Sequence, residues 1–324
     1  MQELPLVSVN MPVKNGVKYI KEAIQSVLNQ TFNDFELIIV NDGSTDESAE
    51  IVRSFSDSRI KILENQTSKG IAFSRNLAIE NSLGKYIAIF DCDDIMLPEN
   101  LQKKVVFLEQ NSDFAMVGSS IEKIDKNGDF IGKHIYKLPP NLLKTQLFFD
   151  NYFAQSAMLI RKDVLTKFYY DKNFSQAEDY LLWSKISENH KVANLKELLI
   201  KYRIHNQSIS NIKQFQMEEF IKKVFEFQLS KLDIFPTEKE LENHFILLKR
   251  NREIDIKNSE LITELKNWTK LLKTQNNKLQ IFDNKYFNKN LKRIWRKIYK
   301  ANMKKNNNFC KKLELALKIC KTHL

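Results

Sequence analysis

VSVNMPVKNGVKYIKEAIQSVLNQTFNDFELIIVNDGSTDES, residues 7–48, sets a helical pattern between two apolar, β-branched runs. The runs are Leu6–Met11 and Phe35–Val40. Between them Tyr19, Ile20, Ala23, Ile24, Val27 and Leu28 recur at steps of three and four, the spacing that gathers apolar side chains on one helix face. The stretch ends in NDGSTDES, where Ser44 or Thr45 can cap a second helix and Glu47 and Glu50 fall in its first turns. Outward from there come two more strand-like runs, Ile60–Leu63 and Tyr86–Phe90. A third helical segment, Ile71–Ile79, separates them and ends ahead of Gly84. This β-α-β-α-β-α-β order predicts an α/β fold with a mostly parallel central sheet, right-handed crossovers and helices on both faces.

In such sheets ligands bind beyond the carboxyl ends of the strands, so chemistry is expected just after Met11, Val40, Leu63 and Phe90. Polar residues collect at those places: Pro12–Asn15, Asn41–Ser44, Lys69-Gly70 with Arg75, and Asp91-Cys92-Asp93-Asp94. The last group places three carboxylates within four residues. A hard divalent cation, Mg²⁺ or Mn²⁺, would relieve their repulsion and bridge to substrate phosphates. The alternative is a helix cap, with Asp94 or a neighbour satisfying amides ahead of Pro98–Leu108. Farther on, Glu178-Asp179 precede Tyr180, Leu181, Leu182, Trp183 and Ile186, a helical pattern. The two acids suit the dipole of that helix, or Asp179 acts as a general base with Glu178 in support. Residues 198–210, LLIKYRIHNQSIS, read as a strand entering a polar loop. His205 there is either a metal or phosphate ligand or an ordinary structural histidine.

The whole chain has 324 residues and a formal net charge of +11, unevenly spread. Residues 1–210 sum to −2 and residues 211–324 to +13, with +12 in the last forty. All seven glycines lie between Gly16 and Gly132. Two differently built halves therefore meet near residue 211. With 43% hydrophobic and 28% charged residues, a wholly disordered chain is excluded. The three cysteines, Cys92, Cys310 and Cys320, form neither a disulfide framework nor a zinc spacing. No run approaches the ~20 apolar residues of a membrane span, and the N-terminus lacks the pattern of a signal peptide. A cytoplasmic protein is expected.

The order of these elements, from VSVNMPV through NDGSTDES, DCDD and AEDYLLW to YRIHNQSIS, resembles the family 2 glycosyltransferases of the GT-A fold over about residues 4–211. The resemblance implies an inverting enzyme that moves a sugar from a nucleotide-diphospho-sugar, a UDP-sugar by expectation, to a hydroxyl of a glycan or glycolipid acceptor in bacterial surface polysaccharide synthesis. It places Pro12, Val13, Asn15 and Asp42 at the nucleotide base, and Lys69 and Arg75 at ribose or diphosphate. The DxD motif falls on Asp91 and Asp93 around Cys92. Asp93 would hold the Mn²⁺ or Mg²⁺ on the diphosphate, Asp91 would lie nearer the ribose and the metal, and Asp94 is an extra carboxylate. Asp179 matches the catalytic base with Glu178 beside it, and His205 the position of a further metal or diphosphate ligand.

Three departures stand out. Lys14 occupies a position where the family often has an aromatic ring to stack on the base. Asn41 replaces a frequent aspartate, and Asn10 interrupts an apolar strand. Asp125-Lys126-Asn127-Gly128 signals a hairpin turn. Pro139–Arg161, with Phe148, Phe149, Tyr152 and Phe153, is assigned to the acceptor side, though these rings equally suit a core.

The C-terminal third reads as helix. From Leu247 through Asn251, Ile254, Asn258, Leu261, Leu265, Trp268, Leu272, Gln275 and Leu279 to Phe282, residues alternate at steps of four and three. This is the seam of a coiled coil, hence a possible homodimer, or a helix packed on its own chain. Phe287, Leu291, Ile294, Trp295, Ile298 and Tyr299 share one face and Lys292, Arg293, Arg296, Lys297 and Lys300 the other, the pattern of a helix lying on an anionic membrane. Lys304, Lys305, Lys311 and Lys312 extend the basic patch. The expected divisions are a catalytic domain at 1–211, a helical segment at 212–284 and a basic tail at 285–324, peripheral on the cytosolic face of the bacterial inner membrane. The competing reading is an inactive GT-A-like binding module whose tail holds nucleic acid or a partner. The near-neutral first 210 residues argue against a nucleic-acid groove there.

Overall fold

The computed structural model describes residues 4–205, 214–248 and 259–305. The chain divides into two compact units, Met1–Lys144 with Asn151–Phe220, and Thr145–Asp150 with Ile221–Leu324. The expected boundary at 211 lies outside the described residues.

In the first unit β1 (Val7–Val13), α1 (Ile20–Leu28), β2 (Phe35–Asp42), α2 (Ser48–Arg53), β3 (Ile60–Asn65), α3 (Ile71–Glu80) and β4 (Tyr86–Ile89) alternate as the apolar pattern requires. Then follow β5 (Ile95–Met96), α4 (Asn100–Gln110), β6 (Phe114–Ile124), β7 (Phe130–His134) and α5 (Pro140–Leu147), the last crossing the unit boundary. A 3₁₀ turn at Gln155–Ala157 leads into β8 (Met158–Arg161), α6 (Lys162–Phe168), α7 (Glu178–Asn189) and β9 (Lys191–Arg203).

The sheet runs β3-β2-β1-β4-β8-β6-β9-β5, with β7 on β6. It is parallel across β3-β2-β1-β4, the part read from hydrophobic periodicity. Beyond β4 it is mixed: β8 is antiparallel to β4 and β6, β9 is parallel to β6, and β5 is antiparallel to β9. The expected mostly parallel sheet is thus a parallel half joined to a mixed half. Every residue of β1 is buried, as befits a strand covered on both faces. Asn10 is accommodated within it because its Oδ1 accepts from the Ser82 hydroxyl at 3.1 Å.

Ile20, Ala23, Ile24 and Val27 form the buried stripe of α1. The start of α2 differs from expectation. Ser44 accepts from the Asn15 amide at 3.1 Å and the Thr45 amide donates to Asn15 Oδ1 at 2.8 Å, so both are spent on the loop after β1. The helix opens at Ser48, whose amide donates to Asp46 at 3.0 Å. The Asp125–Asp129 turn forms as expected between β6 and β7, with Gly128 at φ 94°.

The second unit contains the remainder of α8 (Gln214–Ser230), then α9 (Glu238–Leu248), α10 (Ser259–Leu279) and α11 (Asn284–Lys305). Its interior is aromatic. Phe148 lies 5.0 Å from Phe282 and 5.4 Å from Phe287 between ring centroids, and Phe282 stacks on Phe287 at 5.6 Å. Phe148 and Phe149 are therefore core residues of this unit, whereas Tyr152 and Phe153 are buried in the first. Of the expected coiled-coil seam, Asn251, Ile254 and Asn258 lie outside the described residues. Leu265, Trp268 and Leu272 are buried within the chain. Phe287, Leu291, Trp295 and Ile298, the apolar face expected to meet a membrane, are likewise buried in this unit. Arg293 and Arg296 stay in solvent. Lys311 and Lys312 lie outside the described residues. No helix of the described residues is long and apolar enough to cross a membrane.

Candidate active site

The carboxyl ends of β1, β2 and β4 open at one edge of the first unit, because parallel strands begin and end together. At the end of β2, Asp42 accepts four hydrogen bonds: from Asn65 Nδ2 at 2.8 Å, Ser68 Oγ at 2.7 Å, and the amides of Lys69 and Gly70 at 2.8 and 3.0 Å. Burial opposes its charge, but these donors outweigh burial and pull its pKa down to about 2. Gly70, at φ 94°, turns the backbone so that two successive amides face the carboxylate. Lys14 Nζ donates to Ser68 Oγ at 2.8 Å, which puts a cation beside the donors of Asp42 at the position where the family often has a stacking ring. Pro12 is buried, and the Val13 side chain is core. The Asn15 side chain holds the loop before α2. The Lys69 side chain is exposed.

Arg75, expected at ribose or diphosphate, is buried in α3. Its Nη2 donates to Asp91 at 2.7 Å and its Nη1 to Glu178, while the Tyr170 ring lies 5.4 Å from the guanidinium carbon. Burial disfavours the cation, and Asp91 and Glu178 more than restore it, raising its pKa. The guanidinium thus joins the loop after β4 to the first turn of α7. Fork geometry suits this use, since two carboxylates can be held in fixed directions.

Asp179, next on α7, is half-buried. Its Oδ2 accepts from Asn151 Nδ2 at 2.9 Å and its Oδ1 from the Tyr180 amide at 2.6 Å. Burial first, and then the Glu178 charge, push its pKa up to about 7, against the pull of Arg75 and these two donors. Ala177, just before the helix, has a left-handed backbone at φ 54°, a conformation costly for a residue with a Cβ.

After β4 the three carboxylates diverge. Asp91 meets Arg75. Asp93 Oδ2 lies 2.9 Å from His205 Nε2. Asp94 Oδ1 accepts from the Arg203 amide at 2.7 Å, so Asp94 is no helix cap, and α4 starts six residues later. Burial, then the charges of Asp93 and Asp91, hold the Asp94 carboxyl well above its ordinary range. Burial and the flanking acids likewise push the Cys92 thiol up.

The sequence gives Arg203 and Asn151 no role, and Tyr19 only a place in the apolar stripe of the first helix. Arg203 Nε donates to the Asp93 carbonyl at 2.8 Å and Nη2 to Glu22 at 2.6 Å, and its guanidinium lies over Tyr19 at 4.5 Å. Tyr19 also packs at 5.1 Å against His205. The only sequence signal for Arg203 was its place two residues ahead of His205; Asn151 had none.

No three His, Cys, Asp or Glu side chains converge as a metal cage among the described residues. The pair Asp93–His205 nevertheless offers one oxygen and one nitrogen donor. That set fits a cation of the Mg²⁺ or Mn²⁺ kind, which is commonly held by one or two protein groups and completed by substrate phosphates.

This edge-opening sheet, with a four-donor aspartate at the end of β2 and carboxylates after β4, is that of a GT-A glycosyltransferase fold. Solved structures agree. The TM-score is 0.61 with S. aureus TarS 1–349 in complex with UDP-GlcNAc, at 19% identity over 91% of this chain and 88% of that one. It is 0.58 with the mannosyltransferase PcManGT from Pyrobaculum calidifontis in complex with GDP-Man and Mn²⁺, at 13% identity over 94% and 87%. The sequence profile of glycosyl transferase family 2 matches residues 8–168. The O-antigen biosynthesis glycosyltransferase WbnJ of Escherichia coli is 36% identical over 233 residues, 68% of this chain and 91% of WbnJ. WfgD of Escherichia coli, a UDP-Glc:alpha-D-GlcNAc-diphosphoundecaprenol beta-1,3-glucosyltransferase, is 32% identical over 210 residues, 64% of this chain and 81% of WfgD. The chain belongs to glycosyl transferase family 2 and is a glycosyltransferase.

Proposed function

We propose that this enzyme transfers a sugar, with inversion, from a nucleotide-diphospho-sugar to a hydroxyl of a lipid-linked or glycan acceptor of the bacterial cell surface. The observation that carries the reading is Asp179. It is a carboxylate oriented by Asn151, set near neutral pKa, and tied through Glu178 and Arg75 to the loop bearing Asp91 and Asp93. A general base works best with a pKa near the working pH.

Residues 1–211 act as the catalytic domain, followed by a helical segment at 212–284 and a basic tail at 285–324. The nucleotide base lies against Pro12 and the backbone of Val13 and Asn15, with Asp42 organising the amides of Lys69 and Gly70 below it. The Lys69 and Lys14 side chains face the ribose or diphosphate. A UDP-sugar is the expected donor, supported by the UDP-sugars named for WfgD and TarS. Asp93 and His205, with Asp91 near the ribose, would hold Mn²⁺ or Mg²⁺, which when bound neutralises the charge that builds on the leaving diphosphate.

Asp179 takes the proton of the acceptor hydroxyl as that oxygen attacks the anomeric carbon. One base opposite the leaving group means one in-line displacement and inverted configuration. Glu178, held by Arg75, keeps the first turn of α7 in place. The lipid-linked acceptor draws support from the diphosphoundecaprenol named for WfgD. An anionic membrane would be met through exposed basic side chains such as Arg293 and Arg296, since the apolar face of α11 is already covered.

The test is release of nucleoside diphosphate from a panel of sugar nucleotides, with Mn²⁺ or with EDTA, for wild type and Asp93→Ala. Metal-dependent release from one donor, lost in the variant, is expected. Absence of calorimetric binding to every donor would sink the reading.

A further inference from the structure

Seven large hydrophobic side chains are exposed among the described residues, and three of them, Phe130 (61%), Ile131 (53%) and Ile204 (36%), gather at one corner of the first unit. Strand pairing brings them together: Ile124 pairs with Phe130, and the Ile204 amide donates to the Ile124 carbonyl at 2.9 Å. The β6–β7 register slips at this point. Lys123 faces Gly132 while Ile124 faces Phe130, which leaves Ile131 as the extra residue of a bulge. Two consecutive strand residues ordinarily face opposite sides; here both are open to solvent.

The corner belongs to the catalytic edge. Arg203 donates to the Asp125 carbonyl of the hairpin turn at 3.3 Å and to the Asp93 carbonyl at 2.8 Å, so one guanidinium fixes both the hairpin and the DxD loop. Ile204 adjoins His205, the partner of Asp93. Near the apolar tip the exposed charges are Lys126 and Lys133 against Asp129, and Glu122 stands opposite Lys133.

We infer that the β6–β7 hairpin is a membrane anchor: Phe130, Ile131 and Ile204 enter the headgroup–acyl boundary of an anionic bilayer, with Lys126 and Lys133 on lipid phosphates. Apolar side chains ringed by lysines are the chemistry of an interfacial segment. A second copy adding a strand to β7 suits the site less well, because the bulge and Lys133 spoil that edge for pairing. The inference rests on the lipid-linked acceptor proposed above. Docking by this corner turns the Asp93–His205 edge toward the interface, where a diphosphate attached to a lipid resides.

The experiment uses the full chain and vesicles of phosphatidylglycerol with phosphatidylethanolamine, against phosphatidylcholine alone. Replacing both Phe130 and Ile131 by Ser should weaken co-sedimentation by about 10-fold or more. Replacing both Lys126 and Lys133 by Ser should cause a smaller loss, and about 1 M salt in wild type a larger one than that, because it also screens the basic C-terminal side chains. Thermal melting checks that these exposed changes leave the fold intact. In Phe130→Trp, brominated acyl chains should quench the new indole, while Trp183, Trp268 and Trp295 are buried and give the baseline.

Vesicle binding as strong in the double Ser variant as in wild type, or no quenching in Phe130→Trp, overturns the inference. So does a wild type that ignores vesicles, or a double Ser variant that changes only the sedimentation coefficient, which would mark a self-association face. Donor binding by calorimetry without vesicles reads the glycosyltransferase mechanism separately. Hairpin-dependent vesicle binding with transfer only to soluble glycans would remove the lipid acceptor and keep the anchor.

Discussion

The two units bury polar groups in opposite ways. At the catalytic edge charge is packed against charge: Arg75 between Asp91 and Glu178, Arg203 on Glu22, Asp93 facing His205. Among the described residues of the helical unit, the ionisable His244 is fully buried among rings. Phe148 lies at 5.6 Å, Phe225 at 4.8 Å and Trp268 at 5.8 Å, and its Nδ1 accepts from Trp268 Nε1 at 3.1 Å. Buried ion pairs seldom improve on a well-packed apolar core. Their concentration in one region therefore points to chemistry there.

The largest effect that would sharpen this contrast is in Asp179→Asn. The amide keeps the shape and the Asn151 neighbour but cannot take a proton, so kcat should fall by about 10²–10⁴. Donor affinity measured by calorimetry should stay near wild type. The wild-type rate should decline as pH drops below about 7, because the carboxyl is raised to that range and must be ionised to work. Equal losses of kcat and donor affinity would make Asp179 a binding group instead.

Arg75→Met comes next. It removes the buried cation and leaves two partly buried carboxylates without their shared partner, which should lower the unfolding free energy by about 3–5 kcal/mol in urea titration. The same change strips from Asp179 the positive charge that lowers its pKa, so the acid limb of the pH–rate profile should move upward. Arg53→Ala, at an ion pair whose side chains are 54% and 42% exposed, should cost about 1 kcal/mol or less. Similar costs at the two sites would break the distinction drawn between them.

How much of this was legible in the sequence follows from range. The four parallel strands and the polar clusters after them could be read because each element carries its own apolar period. The same is true of the Asp125–Asp129 turn. The Arg75–Glu178 pair spans 103 residues and the Arg203 contacts to the DxD loop about as many; no local pattern announces either. Asn151 looked like any loop asparagine. The helix α11 shows a different limit. An apolar stripe opposite a basic one states that the stripe must be covered, not by what. Here Phe148 and Phe149, more than a hundred residues upstream, belong to the same core as Phe287. The heptad-like Leu265, Trp268 and Leu272 were ambiguous in the same way. Phe130 and Ile131 attracted no notice because two apolar residues in a short strand ordinarily have a covered face; the bulge that exposes them is a matter of register.

The smallest expected effect tests the helical side. His244 is neutral in its apolar pocket, and burial pushes its pKa down to about 3 from 6.5. Once the unit unfolds, the imidazole is free to take up a proton below about pH 6.5, while the folded form resists it. His244 therefore favours the folded state fully at neutral pH, and its contribution shrinks as the pH falls from about 6.5 toward 3. Between pH 7 and pH 5 the loss should be about 2 kcal/mol, since each unit of displaced protonation is worth about 1.4 kcal/mol. His244→Phe leaves Trp268 Nε1 without its acceptor and so should be less stable at pH 7, by about 1–3 kcal/mol. It should, however, lose the pH-dependent part that this histidine supplies. Urea midpoints of both proteins across pH 5–7, followed by the fluorescence of Trp268 and Trp295 in this unit, measure the difference directly. If the two slopes against pH are the same, the imidazole is not what makes the helical unit acid-sensitive, and its core is as indifferent to protons as the rings around it.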